Sequence, residues 1–431
     1  MMPGFKRKIP AQAMQFVLLI STLVFLLLGS FVLLTYTQSF FSTQSTEVRS
    51  HIALATNQLV RLLETPHLSR TSDTLRSEVR HYQTRRIASY YGAWTKVFTE
   101  VNSHGNRIRR AALAGTTTTA QPNLYLANFS SPLVVTGHTR LEGDLRIPKL
   151  GIQAGTIGGR YYEGRSLHYG RTKISDNQLP ELDPQWLLYT EKLLAKALST
   201  ETGLIPLQTE LRNSFYQSPR IVYEPGPVFL DQHQISGNIS IYSDTKITVH
   251  PETSLSDVLL IAPEIQLLGN VQGRMHLIAS KRITIGNKCH LSYPSSVVLI
   301  SKEKPLSSPS SSIRPDAYIL PVEIKDQTII EGSVIYFPLT SPDESTFTQI
   351  HLKTHPKTTI RGEVYCQGNY DFQGTVRGSL YAHRFVAQQE GSLYINHIYD
   401  GQILRDSIPQ YAGLPFENKG RTSNAVAKWM Y

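Results

Sequence analysis

The chain has 431 residues, a formal net charge of +10 and two cysteines. That length allows two or three domains, while two cysteines leave no Cys-x-x-Cys or Cys/His cluster to hold zinc. The positive balance is uneven: Arg70, Arg76, Arg80, Arg85, Arg86, Lys96, Arg107, Arg109 and Arg110 face only Asp73, Glu78 and Glu100 in the same stretch.

Lys6, Arg7 and Lys8 form a basic segment within residues 1–10. No charge follows between Ile9 and Thr46, and the run carries Phe16, Leu18, Leu19, Ile20, Leu23, Phe25, Leu26, Leu27, Leu28, Phe31, Leu33 and Leu34. About 20 apolar residues of helix cross the hydrocarbon core, so residues 11–36 read as a transmembrane helix. The excess of lysine and arginine before it puts the N-terminus in the cytoplasm and the bulk of the chain outside, periplasmic or extracytoplasmic. A cleaved signal peptide is the alternative, but its apolar core is shorter, and no Ala-x-Ala site follows here.

Residues 37–66 continue as a juxtamembrane helix, with Val48, Ile52, Ala55, Leu59, Leu62 and Leu63 at three- and four-residue steps and Pro66 ending the run. A membrane helix flowing into an amphipathic one is similar in outline to the stalk of type IV pilins. The pilin processing site is missing, since Gly4-Phe5 is followed by Lys6-Arg7-Lys8 and the apolar run carries no acid.

Residues 67–120 read as one or two basic helices and a Thr-rich linker. Their charge suits anionic lipid, an acidic glycan or an acidic protein, or simply a solvated helix face, and the topology argues against nucleic acid. Residues 121–220 are strand-rich, with an inserted helix at 184–200 that Asp183 can cap. Within this region Arg160, Tyr161, Tyr162, Arg165, Tyr169 and Arg171 form a Tyr–Arg–Gly run. Arginine and tyrosine together suit an acidic glycan or an envelope protein partner; a hairpin with solvated arginines is the plainer alternative.

A phrase of apolar, any, Gly, any, apolar recurs around Gly143, Gly237, Gly273, Gly332, Gly362 and Gly378. With the near-copies at Leu260-Ile261-Ala262 and Leu277-Ile278-Ala279 it predicts a mainly β fold, a parallel β-solenoid (β-helix) over 221–400. Pro305 to Ser312 and Pro338 to Thr346 are expected as loops, and 401–431 as an irregular capping tail. Cys289 and Cys366 could pair as a disulfide in an oxidising compartment, or sit as two small buried hydrophobes.

The repeat region resembles the bactofilins, on the Gly phrase and strand rhythm of residues 221–400. That resemblance implies self-association and a scaffolding role at a membrane. Catalysis finds little support: Asp244, Glu252, Asp257, Glu264, Glu331, Glu363, Asp371 and Glu390 share no offset in adjacent repeats, and neither do the histidines. No cofactor or metal site is discernible. The expectation is a single-pass, membrane-anchored structural protein of a bacterial cell envelope. A membrane-tethered carbohydrate-active enzyme and a pilin-like component of a secretion or pilus machine are the alternatives.

Overall fold

The structure is a computed structural model that describes residues 11–65, 72–77, 82–103, 106–117, 121–195, 204–302, 320–339, 349–389, 391–405, 411–417 and 423–430. Lys6, Arg7 and Lys8 lie outside the described residues. So do Pro305 to Ser312 and the second expected loop from Thr340 onward.

The segments expected as membrane and juxtamembrane helices are one continuous helix, α1 (Ala11–Leu63). Its residues 13–36 are all exposed, and the helix is long and apolar enough to cross a membrane. Ala55, Leu59, Leu62 and Leu63 are instead buried, packed with Ala88, Val97, Ala112 and Ala114. At about 1.5 Å per residue, the 19 residues from Tyr36 to Ala55 separate the apolar stretch from the body by roughly 28 Å. Burying each leucine contributes about 1.5–3 kcal/mol to the docking of the helix end.

The surface α1 docks on is a correction to the basic helices expected at 67–112. Ser72–Ser77, Tyr82–Tyr91, Trp94–Ser103 and Asn106–Thr117 are strands of one antiparallel sheet, joined at its edge by Ser423–Met430. The physical reason is alternation: in Trp94–Ser103, Trp94, Val97, Thr99, Val101 and Ser103 are buried while Lys96 and Glu100 are less so. The charges then pair across strands, with Arg109 Nε 2.8 Å from Glu100 Oε2. The tail is likewise not an irregular cap, because its last described stretch is a strand paired with Asn106–Thr117.

Parallel strands dominate the rest. Ser254–Leu267, Gln272–Ile285, His290–Ser301, Ile329–Pro338, Thr359–Phe372 and Gly374–Gln389 pair in succession. The expected β-solenoid over 221–400 is nevertheless overturned: the parallel sheet closes as a barrel, with further strands outside it. A solenoid confined to 221–400 would leave the edge of Gly374–Gln389 bare. Here Leu124–Leu126 and Gly401–Leu404 pair with it, and both also pair with Arg140–Ile147. Leucine, isoleucine and valine from alternate positions fill the interior, among them Leu260, Leu277, Val297, Val334, Val364 and Leu380.

The glycine phrases sit in register, with Gly332 opposite Gly362 and Gly362 opposite Gly378. Their backbones take φ values of +145°, +137° and +137°.

Opposite faces of the same barrel strands carry a second apolar layer. Leu259, Ile261, Ile278, Val298, Ile335, Tyr365 and Tyr381 pack against Tyr91, Trp94 and Leu113 of the antiparallel sheet and Trp186 of α2 (Pro184–Leu194). The body is thus layered as helix end, antiparallel sheet and barrel wall. Helix α2 ends at Leu194, short of the expected residue 200; 196–203 lie outside the described residues. Asp183 caps it as expected, its Oδ1 accepting from Gln185 N at 2.9 Å. Trp186 Nε1 donates to Gly92 O at 2.8 Å, tying α2 to the sheet's tight turn.

Cys289 and Cys366 are both buried and free, so the disulfide is not formed. Burial raises both thiols, Cys366 beyond the range in which a thiolate forms near neutral pH.

The tail segment 411–417 is held to the barrel by Glu363. This buried carboxylate accepts from Leu414 N at 2.5 Å and from Gln121 Nε2 at 2.6 Å. Burial raises its pKa to about 7, against the lowering effect of those two bonds. Since the folded state binds this proton more tightly than the unfolded chain, stability should fall as pH rises from the ordinary glutamate value to about 7. The span is on the order of 3 kcal/mol. Denaturant unfolding across that window should show the slope in the wild type and flatten it in Glu363→Gln. An unchanged slope in the variant would assign it to another group.

Candidate functional site

One cleft, of about 580 Å³, lies at the seam between the barrel and the antiparallel sheet. Its size falls in the range of small-ligand sites, about 300–1,000 Å³. One wall comes from the barrel side: Arg212 and Asn213, Ser214, Phe215, Gln217 and Arg220, with Ser236 and Gly237 of the next strand. The other wall is Lys428, Trp429 and Met430 of the C-terminal strand.

Asp257 forms the floor. It sits at φ +62°, where the register between Ser254–Leu267 and Gln272–Ile285 shifts. Such a bulge re-aims a side chain, and aspartate tolerates positive φ better than most residues. Two cations clamp it. Arg274 places Nε 2.5 Å from Oδ1 and Nη2 3.1 Å from Oδ2, while Lys428 Nζ lies 2.9 Å and 2.6 Å from the same oxygens. Burial pushes this carboxyl up, but the hydrogen bonds and charges of Arg274 and Lys428 outweigh it and hold the pKa below the ordinary value. Asp257 is therefore ionised and saturated, a structural anchor with no free lone pair for base chemistry.

Behind the floor, Tyr91 Oη donates to Asp257 O at 2.6 Å, and the Tyr91 ring meets His276 edge-on at 5.2 Å. His276 Nδ1 is 3.0 Å from Ser296 Oγ. A serine beside a histidine invites comparison with a nucleophile and its base, but His276 and Ser296 are both fully buried and no substrate reaches them. Burial lowers His276 to about 4, so it is neutral near pH 7. Lys96, lowered to about 8 by burial, lies 5.8 Å from the centre of the Tyr91 ring and bonds Asn238 Oδ1 at 3.4 Å.

The charged residues lining the cleft are Arg212, Arg220, Lys428 and Asp257. Arg274 and Lys428 together neutralise Asp257, so Arg212 and Arg220 leave the cleft cationic, and Phe215 and Trp429 supply apolar surface beside them. Among the described residues, no group of three or more His, Cys, Asp or Glu is placed to hold a metal ion.

The Tyr–Arg–Gly run lies elsewhere and is not gathered into a site. Arg160–Tyr161 pairs with Thr156–Ile157 in a two-stranded hairpin, and Tyr161 points to solvent. Tyr162 Oη donates to Ser166 O at 2.5 Å, and its ring packs on the barrel interior. Arg165 is exposed. Tyr169 lies under the Arg140 guanidinium at 5.1 Å, and Arg171 is paired with Asp144 at 3.0 Å. Tyr169–Ile174 is exposed at all six residues. All six of its residues pair with Arg140–Ile147, and its side chains face solvent without converging on a pocket.

Sequence reasoning missed the cleft because its walls come from residues 212–237, 257 and 428–430. Asp257 was visible only as one scattered acid, and nothing local to Lys428 marks its partner. Compared with models of known families, with curated proteins and with solved structures, the chain matches none of them.

Proposed function

We propose that the chain is a single-pass, membrane-anchored assembly protein of a bacterial cell envelope, with its N-terminus cytoplasmic and its β-rich body on the outer side. The observation that carries this reading is α1: one helix of 53 residues whose apolar part is wholly exposed and whose last turns are buried in the body. Such a helix tethers and spaces the body without a flexible joint. Self-association or capture of an envelope partner would use the exposed strand Tyr169–Ile174, whose six side chains all face solvent. No chemistry is required of a protein in this role.

The test is location. Protease added to intact spheroplasts of cells bearing a C-terminal tag should digest the body and remove the tag. Full protection of residues 41–431 would reverse the orientation and with it this reading.

A second reading, a pilin-like component of a secretion or pilus machine, draws support from the helix end lying against the antiparallel sheet. Mass spectrometry of the mature protein decides it: loss of the first few residues with a methylated new N-terminus would favour it, and an intact Met1 would remove it.

A further inference from the structure

We infer that the seam cleft binds a carboxylated oligosaccharide, an acidic glycan strand read by Arg212 and Arg220. The argument begins with charge. Of the three cations lining the cleft, Lys428 is paired with Asp257, which Arg274 also holds from behind, so Arg212 and Arg220 carry the open positive charge. Both rim arginines are exposed and belong to adjoining strands, Glu210–Asn213 and Arg220–Glu224, so their guanidinium groups are free to take carboxylates in the planar two-bond geometry arginine favours.

The remaining lining chooses between anions. Gln217, Ser214 and Ser236 offer an amide and hydroxyls, which both donate and accept as sugar hydroxyls do. The Trp429 side chain is more than a third exposed at the rim, a flat apolar face suited to the C–H face of a pyranose ring. An acidic peptide would more naturally add to a strand edge. The C-terminal strand beside the cleft has a register shift between Val426 and Lys428, and a bulge there spoils a regular ladder. The volume of about 580 Å³ lies within the span of small-ligand sites, about 300–1,000 Å³.

The inference rests on the body facing outward, where such glycans are found, but its test does not depend on orientation. The full chain in nanodiscs would be titrated calorimetrically with tetragalacturonate, with its neutral methyl ester and with an octaglutamate peptide. We expect the tetragalacturonate to bind with an affinity that falls as salt is added, and the ester to bind far more weakly. The double substitution Arg212→Ala/Arg220→Ala should weaken binding by about tenfold or more, the scale of lost charge-assisted hydrogen bonds. Because both arginines are exposed, thermal unfolding of the variant should match the wild type, which separates lost binding from lost fold.

No heat of binding with the wild type would overturn the inference, and so would a double variant that binds as well as the wild type. Equal or tighter binding of octaglutamate would replace the glycan with an acidic protein partner. Failure of the protease test with binding intact would sink the topology and leave the cleft's specificity standing.

Discussion

Gly362→Ala is expected to cost about 3 kcal/mol or more, enough to leave much of the protein unfolded. Gly362 has φ +137°, and an added Cβ would collide with the carbonyl oxygen of Gly332 in the neighbouring strand and crowd Tyr411 Oη. Gly332 and Gly378 repeat the problem, each against a backbone carbonyl one strand away. A carbonyl held in a parallel ladder cannot give way as a flexible side chain could, so strain and collision add. Gly151→Ala is the control: its φ is +75° and nothing lies within 4 Å of an added Cβ. It should therefore lose only the backbone term, about 1 kcal/mol. Denaturant unfolding of the two variants side by side checks this, and equal losses would mean that the glycine column is not a close-packed device.

The second large effect is expected at Asp257. Removing it as Asp257→Ala leaves Arg274 and Lys428 partly buried with their shared counter-charge gone, a cost of about 3–5 kcal/mol. Lys428→Met should cost less, because Arg274 still satisfies the carboxylate. The double variant Asp257→Ala/Lys428→Met should fall well short of the sum, since the coupling between the two is what is lost. The pH dependence follows from the lowered carboxyl: its contribution is present above the ordinary aspartate value and is lost as pH falls through the lower folded value. The gap in stability between wild type and Asp257→Asn should therefore persist at neutral pH and close in strong acid. A gap that stayed constant down to acid pH would show that packing at the bulge, not charge, accounts for it. The C-terminal strand should be the first element to protect less well against hydrogen exchange in Asp257→Ala, because Lys428 is its charged contact with the barrel floor.

How much of this was legible depends on how far apart the interacting residues lie. The helix over Ala11–Leu63 was readable because its signals are local: a charge-free apolar run, then Ala55, Leu59, Leu62 and Leu63 at helical spacing. The Asp183 cap of α2 was readable for the same reason. The strands around Gly332, Gly362 and Gly378 announced themselves through a repeated phrase, yet their closure into a barrel did not. That closure needs Leu124–Leu126 to meet Gly374–Gln389, some 250 residues later, and no periodicity encodes such a meeting. The stretch Tyr82–Thr117 misled because its arginines suggested a solvated helix. Its alternation becomes meaningful only when α1 covers one face of the sheet and the barrel wall the other. The Tyr–Arg–Gly run shows the opposite error, since a dense local pattern is spread over a hairpin, an exposed strand and an ion pair with Asp144.

By itself the sequence determined the apolar helix, its continuation toward the body, the α2 cap and the strand-forming character of the glycine phrases, because each rests on contacts within a few residues. Only the tertiary structure decided that the parallel sheet closes, that Ser423–Met430 completes the antiparallel sheet, and that Arg212, Arg220, Asp257 and Lys428 share one cleft. Those outcomes depend on surfaces brought together across more than two hundred residues, where complementarity of buried faces and paired charges, not local propensity, selects the partner.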